Sequence, residues 1–248
     1  MLMAPLCFEQ ITFQSVQLGR VIEVFTDDGS AQIDSLAKRP ERALVKWVVG
    51  NPSARALLFK VLRRSPDEFS ATEVQDPFYG PNEGDIDLLI CRRERPHEAV
   101  AFECKRVKVV AEDNGNDRIN KLEDVGEGVR QAKKLHEKFS FSQTFLAVIS
   151  AVDAAKRKQA NIPSRGLTSE SVPNWDAGKT TFRSIVQFPR REELPAEIGI
   201  IFIELVQPSG RQFEEQGTVR ICVHHSATQR PQRPCDTRRV QTLMEGSA

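Results

Sequence analysis

The sequence lacks the patterns that mark membrane proteins, secreted proteins and disulfide-held mini-domains. No window approaches the run of about 18 apolar residues that a membrane-spanning helix needs. Residues 1–6 carry neither a basic segment nor a long apolar segment, so we expect no secretory signal. The five cysteines lie far apart without a C-x-x-C pair. We therefore expect a cytoplasmic protein with free thiols, no structural zinc site and no membrane partner.

Several familiar catalytic motifs are also missing. The chain has no P-loop, no G-x-G-x-x-G, no grouping of Ser, His and Asp, and no internal repeat. Its charge is balanced, with 35 Lys and Arg against 34 Asp and Glu, so bulk charge predicts no polyanion partner. The 248 residues, 40% hydrophobic and 28% charged, exclude a mainly disordered chain and suit one or two folded domains.

Positive charge is concentrated in one segment of the C-terminal half of the chain. Between residues 151 and 191, eight basic side chains stand against three acidic ones. A solvated loop is one interpretation. The other is a flap over residues 151–185 whose Lys156, Arg157 and Lys158 contact phosphates. Residues 226–248 have few apolar side chains, which predicts a disordered basic tail.

Hydrophobic periodicity predicts an α/β fold with helices flanking a mixed sheet. Apolar residues recur at spacings of three and four from Ile119 to Phe139, which predicts a long amphipathic helix. Short turns join three earlier strands, so we expect an antiparallel meander, with the strand after the long helix added in parallel. Strands are predicted within 8–25 and over 69–75, 85–91, 99–110, 145–150, 198–206 and 218–225. Three further helices are predicted: one over 31–39, a second that Pro40 opens, and a third over 54–64 that Ser53 caps.

Charged residues interrupt two strongly apolar strands. Asp87 lies in the run Gly-Asp-Ile-Asp-Leu-Leu, and Phe-Glu-Cys-Lys follows with Glu103 and Lys105. Because side chains alternate along a strand, Glu103 and Lys105 share the face opposite Phe102 and Cys104, which we assign to the core. If the strands are hairpin partners, a carboxylate from each reaches one edge of the sheet.

Two carboxylates with a lysine are what metal-dependent phosphodiester hydrolysis requires. Buried charges are costly unless they are paired or bind a metal. Carboxylates can hold Mg²⁺ or Mn²⁺, and a lysine can orient the attacking water or stabilise charge that develops at phosphorus. Three plainer interpretations stay open: a salt bridge from Asp87 to Lys105, an exposed pair of Glu103 with Lys105, and a turn role for Asp85.

This arrangement resembles the PD-(D/E)XK nuclease superfamily, whose core order is α-β-β-β-α-β. The resemblance covers residues 54–150 and implies a restriction-endonuclease-like fold, with Asp87 and Glu103 as metal ligands and Lys105 as a catalytic residue. It also implies that the backbone carbonyl of Cys104 completes the ligand set. We accordingly divide the chain into an N-terminal extension (1–53), a nuclease-like domain (54–225) that contains the basic insertion, and the tail (226–248).

Two further parts of the family pattern match less completely. Some members carry Q-x-x-x-Y on the helix after the third strand, and this chain has Gln131 but Leu135 in place of the Tyr. Gln131, Lys134 and Lys138 share a helical stripe placed to contact phosphates. Many members also carry a Glu on the first core helix, whereas residues 54–64 contain no acidic residue. Glu41 is a candidate for that ligand if the preceding helix, opened by Pro40, is the core one, and Glu73 and Glu83 are the others.

The sequence therefore predicts a Mg²⁺- or Mn²⁺-dependent deoxyribonuclease acting in repair, recombination, restriction or phage defence. Its expected partner is nucleic acid, DNA before RNA, and a homodimer is left open. The first alternative is a catalytically silent module of the same fold that binds nucleic acid or a protein. The second is an enzyme acting on small phosphates, or a structural domain in which the carboxylates only pair with Lys or Arg.

Overall fold

Apolar strands assemble into one mixed sheet at the centre of the protein. The structure, a computed structural model, describes residues 14–18, 39–80, 83–111, 117–120, 122–153, 189, 193–207 and 217–247. The strands in these ranges are β1 (Gln14–Leu18), β2 (Phe69–Val74), β3 (Ile86–Arg92), β4 (Arg95–Ala111), β5 (Asp117–Asn120), β6 (Gln143–Asp153), β7 (Gly199–Gln207) and β8 (Gly217–His225). The helices there are α1 (Glu41–Gly50), α2 (Pro52–Val61), α3 (Glu123–Lys138) and α4 (Pro234–Gly246).

The sheet combines antiparallel and parallel pairs in the order β1-β8-β7-β6-β4-β3-β2. Strands β2, β3 and β4 form an antiparallel meander, and β6 joins β4 in parallel after helix α3, as the sequence predicts. Strand β7 is parallel to β6, while β8 and β1 are antiparallel additions at the far edge. Strand β5 pairs only with the end of β4. The α/β class is therefore confirmed.

Helices cover both faces of the sheet, which explains why its central strands are apolar on both sides. Helices α1 and α2 bury Trp47 and Leu58 in one core with Phe102. Helix α3 buries Val125 and Val129 in a second core on the other face. Helix α1 therefore packs in the same core as β4.

Two predicted helix starts are wrong for local reasons. Helix α2 begins earlier than expected because Asn51, not Ser53, is its cap, and the Asn51 side chain accepts from Ala54 N at 3.0 Å. Pro52 then occupies the first turn, where its missing N–H costs nothing. Helix α3 begins at Glu123, because Ile119 lies in strand β5, where it pairs with Val109 of β4 instead of extending the helix.

The predicted disordered tail is also wrong, because its last part forms helix α4. Val240 and Met244, one turn apart, are buried against the sheet side that carries Leu89. The Arg230 guanidinium donates to His136 O at 2.6 Å, in the last turn of α3, and also to Phe139 O. These bonds satisfy carbonyls that the end of α3 leaves without a helical partner.

The predicted flap over 151–185 lies almost wholly outside the described residues. Its proposed phosphate contacts, Lys156, Arg157 and Lys158, also lie outside them. Within the described ranges, no helix is both long enough and apolar enough to span a membrane.

Candidate functional site

A cleft of about 870 Å³ opens between the first turn of α1, the start of β3, the middle of β4 and helix α3. Most of its lining is polar or charged. The lining residues are Pro40, Glu41, Arg42, Glu73, Tyr79, Glu83, Gly84, Asp85, Asp87, Glu103, Lys105, Gln131, Lys134, Glu137 and Lys138. The structure thus brings together the predicted strand residues, the predicted helix stripe and all three candidates for the additional Glu.

The two strand carboxylates enter the cleft from neighbouring strands. Strands β3 and β4 pair Leu89 with Ala101. Because directly opposed residues share a face and alternate residues return to it, Asp87 and Glu103 lie on that same face. Asp87 Oδ2 accepts from Cys104 N at 2.6 Å. A strand residue directs its N–H and C=O to the same neighbour, so the Cys104 carbonyl faces the Asp87 side of β4.

Glu41, the first residue of α1, supplies a third carboxylate. Its Oε2 accepts from Arg106 N at 2.5 Å, and its Oε1 lies 3.6 Å from Lys105 Nζ. The sequence makes Glu41 a candidate for the additional metal ligand only if this helix is part of the core. Its neighbours Leu44 and Trp47 are buried there, so the condition is met.

Lys105 crosses the cleft within reach of two carboxylates. Its Nζ lies 3.0 Å from Glu103 Oε1, and its side chain is only 13% exposed. The aliphatic part of Lys105 runs against α3 at Gly128, where an added Cβ would lie 2.3 Å from Lys105 Cγ.

Replacing Gly128 with alanine is expected to destabilise the fold despite the better helix propensity of alanine. The new Cβ would overlap Lys105 Cγ and lie 3.1 Å from Leu146 Cδ1, so the Lys105 stem must move. Overpacking of this kind costs about 1–3 kcal/mol, against a propensity gain of about 1 kcal/mol. Urea unfolding measures the change, and Gly50→Ala is the matched control because nothing lies within 4 Å of its added Cβ. Equal or greater stability of Gly128→Ala would contradict the close approach.

The pKa of each carboxylate in the cleft depends on its burial and on the charges next to it. Burial raises the pKa of Asp87 well above its usual range, and the charge of Glu41 adds to this against the lowering effect of the Cys104 N–H. Burial likewise raises the pKa of Glu103, with Asp87 adding to the shift. Burial opposes the charge of Lys105, but Glu103 and Glu41 outweigh it and raise the Lys105 pKa above its usual value. The site therefore favours cations.

The wall formed by α3 contributes longer polar side chains. Gln131, Lys134 and Lys138 all line the cleft, as their shared stripe predicts. The Gln131 Oε1 atom is buried and has no hydrogen-bond partner among the described residues. Lys138 Nζ lies 2.9 Å from Glu83 Oε2, and both side chains of this pair are about half exposed. A bound ligand can therefore compete for Lys138 at small cost.

Tyr79 is a cleft residue that the sequence analysis missed. Its ring packs edge-on against Phe139, with centroids 5.2 Å apart, and Lys138 Nζ lies 4.5 Å from the ring centroid. Burial, together with the nearby charges of Glu103 and Asp85, raises the pKa of Tyr79 to about 12, so its hydroxyl stays protonated. The available signal was a lone tyrosine in the loop that leads into the Asp87 strand.

The donor set suits a hard divalent cation. Asp87 and Glu103 with the Cys104 carbonyl offer oxygen ligands only, and Mg²⁺ commonly uses one or two carboxylates while it keeps several waters. Across the described ranges, no group of three or more His, Cys, Asp or Glu side chains could hold a metal ion. A cation held by Asp87, Glu103 and the Cys104 carbonyl would complete its coordination with solvent. The Cys104 side chain takes no part, because it is buried in the opposite core.

No protein-family model matches the sequence, and no curated protein matches it. The assignment of the cleft therefore rests on the geometry and chemistry of its own residues.

Proposed function

We propose that the protein is a Mg²⁺- or Mn²⁺-dependent nuclease that hydrolyses phosphodiester bonds of DNA. One observation supports this above the others: Asp87, Glu103 and Lys105 lie on one face of adjacent strands and line one cleft, with Glu41 beside them. From α2 to β6 the elements run α-β-β-β-α-β with the short strand β5 added before α3, and this order supports the restriction-endonuclease-like fold that we propose.

Each side chain has a definable role in such a reaction. Asp87, Glu103 and the Cys104 carbonyl would hold the cation, which supplies Lewis acidity and a more acidic bound water. The Lys105 ammonium stabilises negative charge that develops on the phosphoryl oxygens, or orients the attacking water. Glu41 keeps Lys105 charged and in position from the other side. Gln131 and Lys134 contact the substrate from the wall of α3.

One observation favours a catalytically silent module of the same fold instead. Lys105 already pairs with Glu103 and approaches Glu41, so its positive charge offsets part of their negative charge without any added ion. In that case the cleft would bind nucleic acid or a protein segment and perform no chemistry.

Cleavage assays separate these two functions. Wild-type protein is incubated with single-stranded and duplex DNA and RNA, in Mg²⁺, in Mn²⁺ and in EDTA. The proposal expects metal-dependent cleavage of at least one DNA form, and loss of it in Asp87→Asn. Binding without cleavage in either metal would support the silent module and contradict the nuclease.

Mg²⁺ or Mn²⁺ is also expected to raise the melting temperature. A cation that binds only the folded state stabilises it by about 2.7 kcal/mol at one hundred times its Kd. It also favours the charged forms of Asp87 and Glu103, whose pKa values are raised by burial and by a neighbouring carboxylate, Glu41 in the case of Asp87 and Asp87 in the case of Glu103. Differential scanning fluorimetry across a metal titration measures the shift. Asp87→Asn should lose it, whereas Asp67→Asn, an exposed change outside the cleft, should keep it.

A further inference from the structure

Tyr79 offers the cleft a rigid aromatic surface. The ring is half-buried, packs edge-on on Phe139 at 89°, and Phe139 is itself in contact with Phe78 and Phe141. Packing on one side fixes the ring while part of it stays accessible to the cleft. A pre-ordered aromatic side chain loses little conformational entropy when a flat group stacks on it.

A cation lies over one face of this ring. Lys138 Nζ lies 4.5 Å from the Tyr79 ring centroid and is paired with Glu83 through an exposed contact. An aromatic ring next to an exchangeable cation is the pair of groups with which proteins hold unpaired nucleotides: the ring stacks on the base, and the cation attracts the phosphate. Gln131 Oε1 adds an acceptor without a partner among the described residues.

The charge of the described walls argues against a duplex as the main ligand. Duplex binding depends on neutralising several phosphates with Lys and Arg. Acidic side chains outnumber basic ones in the cleft, seven to four. The acidic ones are Glu41, Glu73, Glu83, Asp85, Asp87, Glu103 and Glu137, and the basic ones are Arg42, Lys105, Lys134 and Lys138. Stacking is less sensitive to this imbalance, because it depends on the face of the base and not on charge.

We infer that the cleft takes a single strand of nucleic acid, or the unpaired end of a duplex, with one base stacked on Tyr79 and the adjoining phosphate at Lys138. An aromatic ring can stack on the face of a base only when that base has left the stack of a duplex, and Tyr79 lines the same cleft as the strand carboxylates. This inference rests on the proposed function, and it adds the substrate class and a specificity-determining residue.

Fluorescence anisotropy in EDTA tests the inference without metal-dependent cleavage. The probes are a labelled strand of about 12 nucleotides, the blunt duplex of the same sequence, and an abasic strand of the same length. Wild-type protein should bind the normal strand more tightly than either of the other two. Tyr79→Leu should weaken binding of the normal strand by roughly 5- to 150-fold, the loss of one stacked base. Tyr79→Phe should keep the affinity, because the ring remains.

Equal affinity of wild-type protein for the normal and abasic strands would overturn the inference, whether or not Tyr79→Leu folds. So would a preference for the blunt duplex, or failure of the normal strand to bind in EDTA. If duplex DNA is cleaved in Mg²⁺ at the same rate by wild-type protein and Tyr79→Leu, the nuclease proposal stands and only the single-strand inference fails. If no nucleic acid is bound or cleaved under any condition, both fail.

Discussion

Lys105→Ala is expected to lower metal-dependent cleavage by about 100- to 1000-fold while nucleic-acid affinity stays nearly unchanged. The reason is that the ammonium acts mainly on charge that appears in the transition state, so the ground-state complex loses little. Its Nζ lies between Glu103 and Glu41, on the side of β4 where the substrate phosphate would approach the carboxylates.

The same substitution separates the nuclease from its alternatives when stability is measured beside it. Lys105→Ala leaves Glu103, only 5% exposed, without its cation, so the metal-free variant should melt at a lower temperature. In the nuclease, Mg²⁺ restores part of that loss, because the ion replaces the missing positive charge. In a silent module or a structural ion-pair cluster, stability falls and Mg²⁺ does not recover it.

The measurements are cleavage rate, strand affinity and melting temperature with and without Mg²⁺, all on one preparation. Lys60→Ala is the matched control, since Lys60 is an exposed lysine of α2 outside the cleft. If Lys105→Ala cleaves at the wild-type rate, Lys105 has no part in the chemistry and the catalytic assignment is wrong.

Asp236→Ala is expected to lower the free energy of unfolding by about 3–5 kcal/mol, the cost of breaking a buried charge network. The Asp236 side chain is fully buried, and its Oδ2 accepts from Ser140 N at 3.0 Å and from Ser140 Oγ at 2.9 Å. Arg233 and Arg239 pair with the same carboxylate. Without it, two cations lose their partner and the Ser140 N–H loses its acceptor.

The same network makes stability depend on acid in a defined direction. Burial opposes the charge of Asp236, but bonds from Ser140 and Arg233 outweigh it and hold the Asp236 pKa below its usual value. The unfolded chain therefore takes up the proton first as pH falls. The contribution of Asp236 is complete above the unfolded value of about 3.9 and is lost as pH falls toward the lower folded pKa.

Urea unfolding from neutral pH down to about pH 3 tests both the loss of stability in Asp236→Ala and its dependence on pH. Asp236→Ala should be less stable than wild type at neutral pH, and the difference should shrink in acid. Gln241→Ala, an exposed change on the same helix, should match wild type throughout. A loss of stability that is the same at every pH would mean that the carboxylate charge contributes nothing.

The central part of the site could be predicted because strand geometry fixes it. Alternation places Glu103 and Lys105 on one face, and the register of the short hairpin between β3 and β4 sets Asp87 beside Glu103. The α3 stripe follows in the same way from helical spacing. These are local rules, and they do not depend on knowing the rest of the fold.

Glu41 and Tyr79 are set by tertiary packing, which local patterns do not reveal. Helices α1 and α2 are both apolar on one face, so the sequence could not show which of them presents its first turn to β4. Helix α4 is similar: Asp236 is fixed by Ser140, 96 residues earlier in the chain, and composition alone suggested disorder. Interactions between residues so far apart leave no periodic trace in the sequence.

The hydrogen bonds of the Cys104 and Arg106 N–H groups fix the distance along strand β4 between two carboxylates of the site. These groups, two residues apart on one strand, hold the Asp87 and Glu41 carboxylates, which come from different elements. Their separation along the strand is thus close to two strand rises, about 6.8 Å, whatever side chains occupy positions 104 and 106. Both carboxylates are thus held by backbone groups and not by the Cys104 and Arg106 side chains, and a proline at either position would release one of them.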